Sequence, residues 1–385
     1  LAQRHKILAI LPEPAISLHE ITSASQWDTL VQTLAGEIFG GASYLQSWQW
    51  GELKNRWGWR ASRLAWQVDS RWVAACQVLL RDEGKFGLRL RVAYAPRGPL
   101  LNWQNDTLSY TVLASLRHWA KQKGAFVLKV DPEAMLGWGV PDSADDQPQP
   151  SGSALQAHLT QHGWHDSPFQ IQFRNSMWLN LQTDAESLIQ SFKQKTRYNI
   201  RLAERKGVQV RQAQLTDLPH LFDLYAETAQ RDGFVIRSRA YYLDVWQTLL
   251  ESGSGVALLA EVDGQWVAGV VLTRSAGRVT YMYGMSRTQF REWMPTYLLQ
   301  WRAIEYAQQQ GCHTYDFWGA PEVFAESDSM WGVWRFKEGF RGQVVRTLGA
   351  WDAPIQPLLY AAYTQLMPRL LAWMKGRAAG QSASN

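Results

Sequence analysis

Lys193, Arg197, Arg201 and Arg205 recur every four residues in SFKQKTRYNIRLAERKGV, a segment that predicts a helix from Ser191 to Val208 stopped by Gly207. At that spacing the four cations share one stripe. Lys195 and Lys206 widen it, and only Glu204 offers local relief. Like charges at helical neighbours cost roughly 0.2–0.5 kcal/mol per pair. Such a stripe is either a solvated face or a clamp for phosphate, in a diphosphate or a nucleic acid backbone. Aromatic interleaving is limited to Phe192 and Tyr198, too little for a sequence-reading module, and no DNA partner is expected. In VTYMYGMS, Tyr281 and Tyr283 occupy alternate strand positions, which predicts both rings on one side, lining a cleft or packed in a core. Cys76 and Cys312 cannot build a disulfide framework, and no His or Cys has metal-ligand spacing. A reducing cytosol fits, and no metal is expected.

These residues belong to a chain of 385, about twice the usual single-domain length, which predicts two domains. Hydrophobic residues make up 46% and charged residues 19%, a globular composition that argues against disorder of the chain as a whole. The balance of 39 basic against 34 acidic residues gives +5, compatible with an anionic ligand. The first apolar run is broken by Pro12 and Pro14, so no signal peptide is expected. No apolar run approaches about 18 residues, so no span of a bilayer is expected either. The 21 tryptophans suit packing, with some free to stack on a planar or sugar ligand.

The chain repeats one plan. VDSRWVA from Val68 returns as VDGQWVA from Val262, each a strand, a two-residue turn and a strand. A further strand and a helix ending at glycine follow each hairpin. The helices are predicted over Ser109 to Lys123, before Gly124 and AFVLKV, and over Pro295 to Gln310, before Gly311 and HTYDFWG. Ala120 and Gln122 keep step with Ala307 and Gln309. The order predicts an α/β (α+β) protein with mixed, mostly antiparallel sheets flanked by helices. The Pro/Asp/Ser/Gln-rich stretch from Pro141 to Ser153 marks the seam, giving domains at 1–150 and 151–385.

This order resembles the GNAT acetyltransferase fold, present twice. That fold cradles coenzyme A on a glycine-rich turn before its central helix. Here the turn reads Ser286-Arg287-Thr288-Gln289-Phe290-Arg291-Glu292, without glycine. Side chains stand where backbone amides would meet phosphate, so coenzyme A is not the expected donor.

Thr314-Tyr315-Asp316-Phe317-Trp318-Gly319, then Gly332-Val333-Trp334-Arg335-Phe336-Lys337-Glu338-Gly339-Phe340, then Leu348-Gly349-Ala350-Trp351-Asp352, follow the basic helix in order. Together they resemble the Fem family of peptidoglycan aminoacyltransferases. Gln46-Ser47-x-x-Trp50-x-x-x-Lys54 and Pro96-Arg97-Gly98-Pro99 are similar to that family's first-domain landmarks, so the resemblance runs from about Tyr44 to Asp352. It implies two tandem GNAT-like domains and transfer of an amino acid from aminoacyl-tRNA to the stem-peptide amine of a UDP-linked or lipid-linked muropeptide. That is interpeptide-bridge synthesis in cell wall biogenesis, and it needs no cofactor. Aminolysis of an ester is downhill, so the protein must chiefly position two substrates and stabilise an oxyanion. The resemblance implies Lys337 for that charge, with Phe336 shaping the site beside it. It also implies Lys54, Arg97, Arg197 and Arg201 on the precursor's diphosphate and peptide groups, and Tyr281 and Tyr283 along the precursor cleft.

One departure matters. The family often carries an acid where GPLLN places Asn102, and an amide cannot take a proton at neutral pH. The general base is unassigned; Asp316, the nearest motif carboxylate, is expected to brace its turn. No long heptad stretch predicts a helical arm for tRNA. From Pro357 to Trp373 apolar residues recur with a period near four, predicting an amphipathic helix packed on its own domain or a partner, or lying at the inner membrane face. The small polar tail from Gly376 to Asn385 is expected to be disordered. A cytoplasmic enzyme with peripheral membrane contact follows from the resemblance. Two other readings are an acyltransferase using another acyl donor on a polysaccharide or small amine, and a non-catalytic nucleotide-sugar binding module.

Overall fold

The computed structural model describes residues 16–38, 40–83 and 90–365. The N-terminal segment read for a signal peptide, the second half of the amphipathic C-terminal helix and the polar tail lie outside the described residues. The first strands are β1 (Ser17–Glu20), β2 (Arg60–Val68), β3 (Arg71–Glu83), β4 (Leu90–Pro96), β5 (Leu100–Leu101) and β6 (Ala125–Asp131). Next come β7 (Met135–Trp138), β8 (Gln147–Pro148), β9 (His165–Asp166), β10 (Asn175–Asn180) and β11 (Gln209–Gln212). The last are β12 (Gly255–Val262), β13 (Gln265–Ser275), β14 (Arg278–Ser286), β15 (Thr314–Ala320), β16 (Gln343–Thr347) and β17 (Trp351–Pro354). They form two sheets, ordered β1-β2-β3-β4-β6-β17-β9 with β5 on β3, and β11-β12-β13-β14-β15-β10-β16-β7-β8. Each runs antiparallel for four strands and then takes a parallel neighbour, β6 beside β4 and β15 beside β14.

Local chemistry accounts for the repeat. The β2–β3 turn holds Asp69 (φ 47°) and Ser70 (φ 65°), and the β12–β13 turn holds Asp263 (φ 48°) and Gly264 (φ 72°). Two left-handed residues in a row match the twist of the flanking strands. The crossover helices α3 (Asp106–Gln122) and α9 (Pro295–Gln309) both end at a left-handed glycine, Gly124 and Gly311. α3 starts earlier than Ser109 because the Asn105 side chain accepts the Leu108 amide. The other numbered helices are α1 (Ala24–Ala35), α2 (Trp48–Arg56), α4 (Pro150–Gln161), α5 (Ala185–Ser191), α6 (Gln194–Arg205), α7 (Leu218–Asp232), α8 (Arg239–Glu251) and α10 (Trp331–Lys337).

The sheets exchange strands across residues 150/151. β7 and β8 edge the second sheet, whereas β17 completes the first, between β6 and β9. A buried ion pair fixes β17: Lys129 Nζ on β6 lies 2.6 Å from Asp352 Oδ1, and Asp352 Oδ2 accepts from Ser167 Oγ (2.8 Å) and Tyr360 Oη (3.1 Å). The helix over 357–365 packs on this sheet, with Tyr363 edge-on to Phe126 at 5.4 Å. Among the described residues no helix is long and apolar enough to cross a membrane.

The second sheet is covered on both faces, as alternation demands. Val256, Leu258 and Ala260 join the core under α6 and α9, while Ala257 and Leu259 join the core under α7, α8 and α2. The single helix expected from Ser191 to Val208 is broken. Phe192 leaves helical geometry (φ −63°, ψ 156°) and buries its ring against Trp301 and Phe340, which ends α5 and restarts the chain as α6. Lys193 therefore leaves the stripe and pairs with Glu338 at 2.5 Å.

Candidate active site

β14 and β15 pair only from Arg278–Thr280 to Thr314–Asp316, and then part. The far half of β15 pairs on its other side with β10, up to Ala320 opposite Asn175. The corresponding strands of the first sheet stay paired from Arg91 opposite Ala125 to Pro96 opposite Asp131, across one register shift between Arg91 and Val92. A wedge thus opens in the second sheet and not in the first. Strands that separate leave main-chain groups needing partners. The Gly319 carbonyl, on one lip, accepts from Lys337 Nζ at 2.6 Å. The same ammonium lies 5.8 Å from the ring centre of Tyr281, on the other lip. Lys337, the last residue of α10, is 4% exposed; burial pushes its pKa down to about 7, with nearby Asp316 opposing the shift. Phe336, beside it in the chain, packs edge-on to Tyr297 (4.9 Å) and Phe340 (5.4 Å) against the core under α6 and α9.

Tyr281 and Tyr283 do not share a side. β13 pairs Val271 with Tyr283 and Leu272 with Tyr281, so Met282 is an extra, bulged residue. The bulge resets the alternation. Tyr281 packs in the core under α6 and α9, and Tyr283 meets Tyr225, Tyr242 and Trp246 under α7 and α8. Gly284 fits this kink because a Cβ there would strike the Tyr281 hydroxyl.

Asp316 braces the wedge. Its Oδ1 accepts the Ser176 hydroxyl and the Trp318 amide (2.8 Å), holding Trp318 at φ 59°. Burial raises its pKa, and Arg278 opposes that rise. Arg278 is itself buried; it donates to Gly40 O (2.6 Å), Gly41 O (3.0 Å) and both Glu133 oxygens (2.6 and 3.0 Å), and lies 3.8 Å from Asp316. This chain ties the first half of the molecule to the base of the wedge.

The remaining basic residues separate. Lys54 Nζ sits among the rings of Trp50 (5.1 Å), Tyr241 (5.3 Å) and Trp59 (5.9 Å) and donates to Tyr241 Oη at 3.3 Å. Burial, then Arg237 and Arg81, lower its pKa to about 8. Arg237, its guanidinium 5.0 Å from Tyr241, was invisible in the sequence because only the packing of α8 on α2 brings it to Lys54. Arg97 is not free for a diphosphate: it is 3% exposed, donates to Phe173 O (2.8 Å), approaches Asp131 (3.8 Å) and lies over Trp318 (5.1 Å). Arg197 spends Nη1 on the carbonyls of Gln190 (2.9 Å) and Phe192, capping α5. Arg201 is exposed on α6, across the sheet from Lys54, so the two cannot hold one diphosphate. Asn102 Oδ1 accepts the Gln104 amide at 3.0 Å. A cavity of about 500 Å³ lies against Asn102, Glu133, Trp138 and Gln343; neither Lys337 nor Lys54 borders it.

The FemAB family profile matches residues 40–266 and 257–367. The chain belongs to the FemAB family. Among relatives it is 23% identical over 399 residues to the Lipid II:glycine glycyltransferase of Staphylococcus aureus (strain USA300), spanning 85% of this chain and 91% of that protein. The solved structure of FemX superposes with a TM-score of 0.76 at 22% identity, covering 90% of this chain and 99% of FemX. A tandem GNAT protein from the clavulanic acid biosynthesis pathway gives 0.52 at 14% identity, over 88% and 98% of the two chains. The FemAB chain described here therefore has the tandem GNAT fold. Its loop before α9 lacks glycine, with Phe290 (φ 60°) and Met294 (φ 56°) in the left-handed region.

Proposed function

We propose that this FemAB protein is a peptidoglycan aminoacyltransferase that moves an amino acid from aminoacyl-tRNA to the stem-peptide amine of a UDP-linked or lipid-linked muropeptide. The Lys337 ammonium, buried in the wedge between β14 and β15, carries this reading. The acceptor amine adds to the ester carbonyl, the tetrahedral oxyanion collapses, and the bond from the former carbonyl carbon to the ribose oxygen breaks. The proton lost by the amine ends on the released ribose hydroxyl. One Lys337 N–H is held by Gly319 O, which leaves the others to meet the oxyanion. Lys54 and Arg237 offer the acceptor's diphosphate two cations on the α2/α8 face. The domains meet near 150/151 and share strands, and the enzyme works in the cytoplasm at the inner membrane face.

Incubation with labelled aminoacyl-tRNA and either muropeptide tests the reading. Label transfer is expected, and none with any common amino acid would remove it. Saturable muropeptide binding without turnover would favour a nucleotide-sugar binding module. Lys54→Ala and Arg237→Ala are each expected to raise the acceptor KM about 10- to 100-fold, the worth of a charged hydrogen bond, with kcat nearly unchanged. An unchanged KM in both would move the diphosphate elsewhere.

The pH profile supplies a further expectation. Below about 7 Lys337 keeps its proton and its charge; above it the neutral amine cannot oppose an oxyanion. The acceptor amine, with an ordinary pKa of about 10.4, gains nucleophilicity as pH rises. Above about 7 that gain and the loss of the Lys337 charge cancel, so kcat is expected to climb with pH and bend to a plateau near 7. Lys337→Arg, which keeps its charge, should move that bend upward. A bend that stays in place assigns it to another group.

A further inference from the structure

We infer that the exposed face of α6 is a docking track for the RNA backbone of the donor, an inference that rests on the aminoacyl-tRNA reading above. The first turn of α6 is clamped to the segment that carries Lys337. The Lys193 amide donates to Gly339 O at 2.9 Å, and a Cβ on Gly339 would collide with the Thr196 hydroxyl. From there α6 runs 12 residues, about 18 Å, away from the wedge. Its inner face buries Thr196, Asn199, Ile200 and Ala203. Its outer face presents Lys195, Tyr198, Arg201 and Arg205 to solvent, with Tyr198 55% exposed.

Two neighbouring carboxylates are already used. Glu204 pairs with Arg302 at 3.0 Å, and Glu338 with Lys193 at 2.5 Å and Arg335 at 3.4 Å. Among the described residues no ion pair joins Lys195, Arg201 or Arg205 to an acid. Arg201 and Arg205 are four residues apart, a rise of about 6 Å, so they present successive positive charges along one line. The Arg205 guanidinium lies 5.9 Å from the Tyr198 ring, pairing a cation with an open aromatic face on which a base stacks. The occupant is the donor rather than the acceptor because α6 covers the face of the sheet opposite Lys54 and Arg237. A long polyanion with its esterified end at Lys337 must leave the wedge somewhere, and α6 gives it a cationic path.

The test compares wild type with Lys195→Ala/Arg201→Ala/Arg205→Ala, using deacylated tRNA as the binding probe across a KCl series. Each phosphate contact contributes about 0.7–0.9 to the slope of log Kd against log salt. The triple variant is expected to lose about two to three of that slope. Its kcat/KM with intact aminoacyl-tRNA should fall at least tenfold, while transfer from an aminoacyl-adenosine ester stays at the wild-type rate. An unchanged slope, a wild type that does not bind tRNA, or an equal loss with the short ester would overturn the track. A wild type that binds tRNA through α6 yet transfers from no aminoacyl ester would keep the track and remove the proposed reaction. Unchanged thermal melting of the variant shows that the fold is intact.

Discussion

Lys337→Met is expected to slow transfer by about 10²–10³-fold, the usual consequence of deleting one oxyanion donor. Methionine keeps the unbranched stem but cannot carry charge, so Phe336, Tyr297 and Phe340 keep their packing. The acceptor should bind with nearly its normal Kd, because the contacts proposed for it, Lys54 and Arg237, lie on the other face. The variant should also melt no lower than wild type. A lysine with its pKa pushed down to about 7 pays for its burial, and an apolar side chain of similar shape relieves that cost. Single-turnover rates with labelled donor, acceptor titration and a melting curve separate these effects. A wild-type rate would take Lys337 out of the mechanism, and a collapsed melting temperature would make its role structural.

Arg278→Met is expected to destabilise the protein by about 3–5 kcal/mol, the loss typical when one partner of a buried ion pair is removed. The guanidinium is 1% exposed, fills the carbonyls of Gly40 and Gly41, grips both oxygens of Glu133 and lies 4.4 Å from the ring of Trp178. Without it, among the described residues, Glu133 keeps only Arg97, 4.0 Å away, and Asp316 loses the guanidinium 3.8 Å from it. Urea unfolding of Arg278→Met, of Glu133→Gln and of the double variant measures the coupling. Neutralising Glu133 should restore part of the loss. A shift below about 1 kcal/mol would mean that water replaces Arg278 and that the buried chain is not what joins the two halves.

What the sequence revealed was local. The paired hairpins were legible because an Asp-Ser or Asp-Gly turn is written in adjacent residues, as are the glycine stops after α3 and α9. Lys337 and Phe336 were legible only as part of an ordered set of motifs, since a lone lysine on a helix carries no signal of burial. The failures were tertiary. Alternation put Tyr281 beside Tyr283, and one bulged residue, Met282, sent them to opposite cores. Periodicity drew one basic helix, and the burial of Phe192 cut it in two. Arg97 carried no mark of the contacts that would absorb it. Grouping Lys54 with Arg201 required knowing which helix covers which face, and no spacing rule supplies that.

The placement of β17 bears on how the chain is made. Synthesis runs from the first half to the second, yet the sheet begun by β1 to β6 lacks an interior strand until residues 351–354 arrive. Until then Lys129 has no Asp352 to neutralise it, and the edge of β6 stays open to any strand that meets it. The early half must therefore wait, on or off the ribosome, for the late half to reach back. A nascent chain stalled between the two would be a ready client for a holding chaperone.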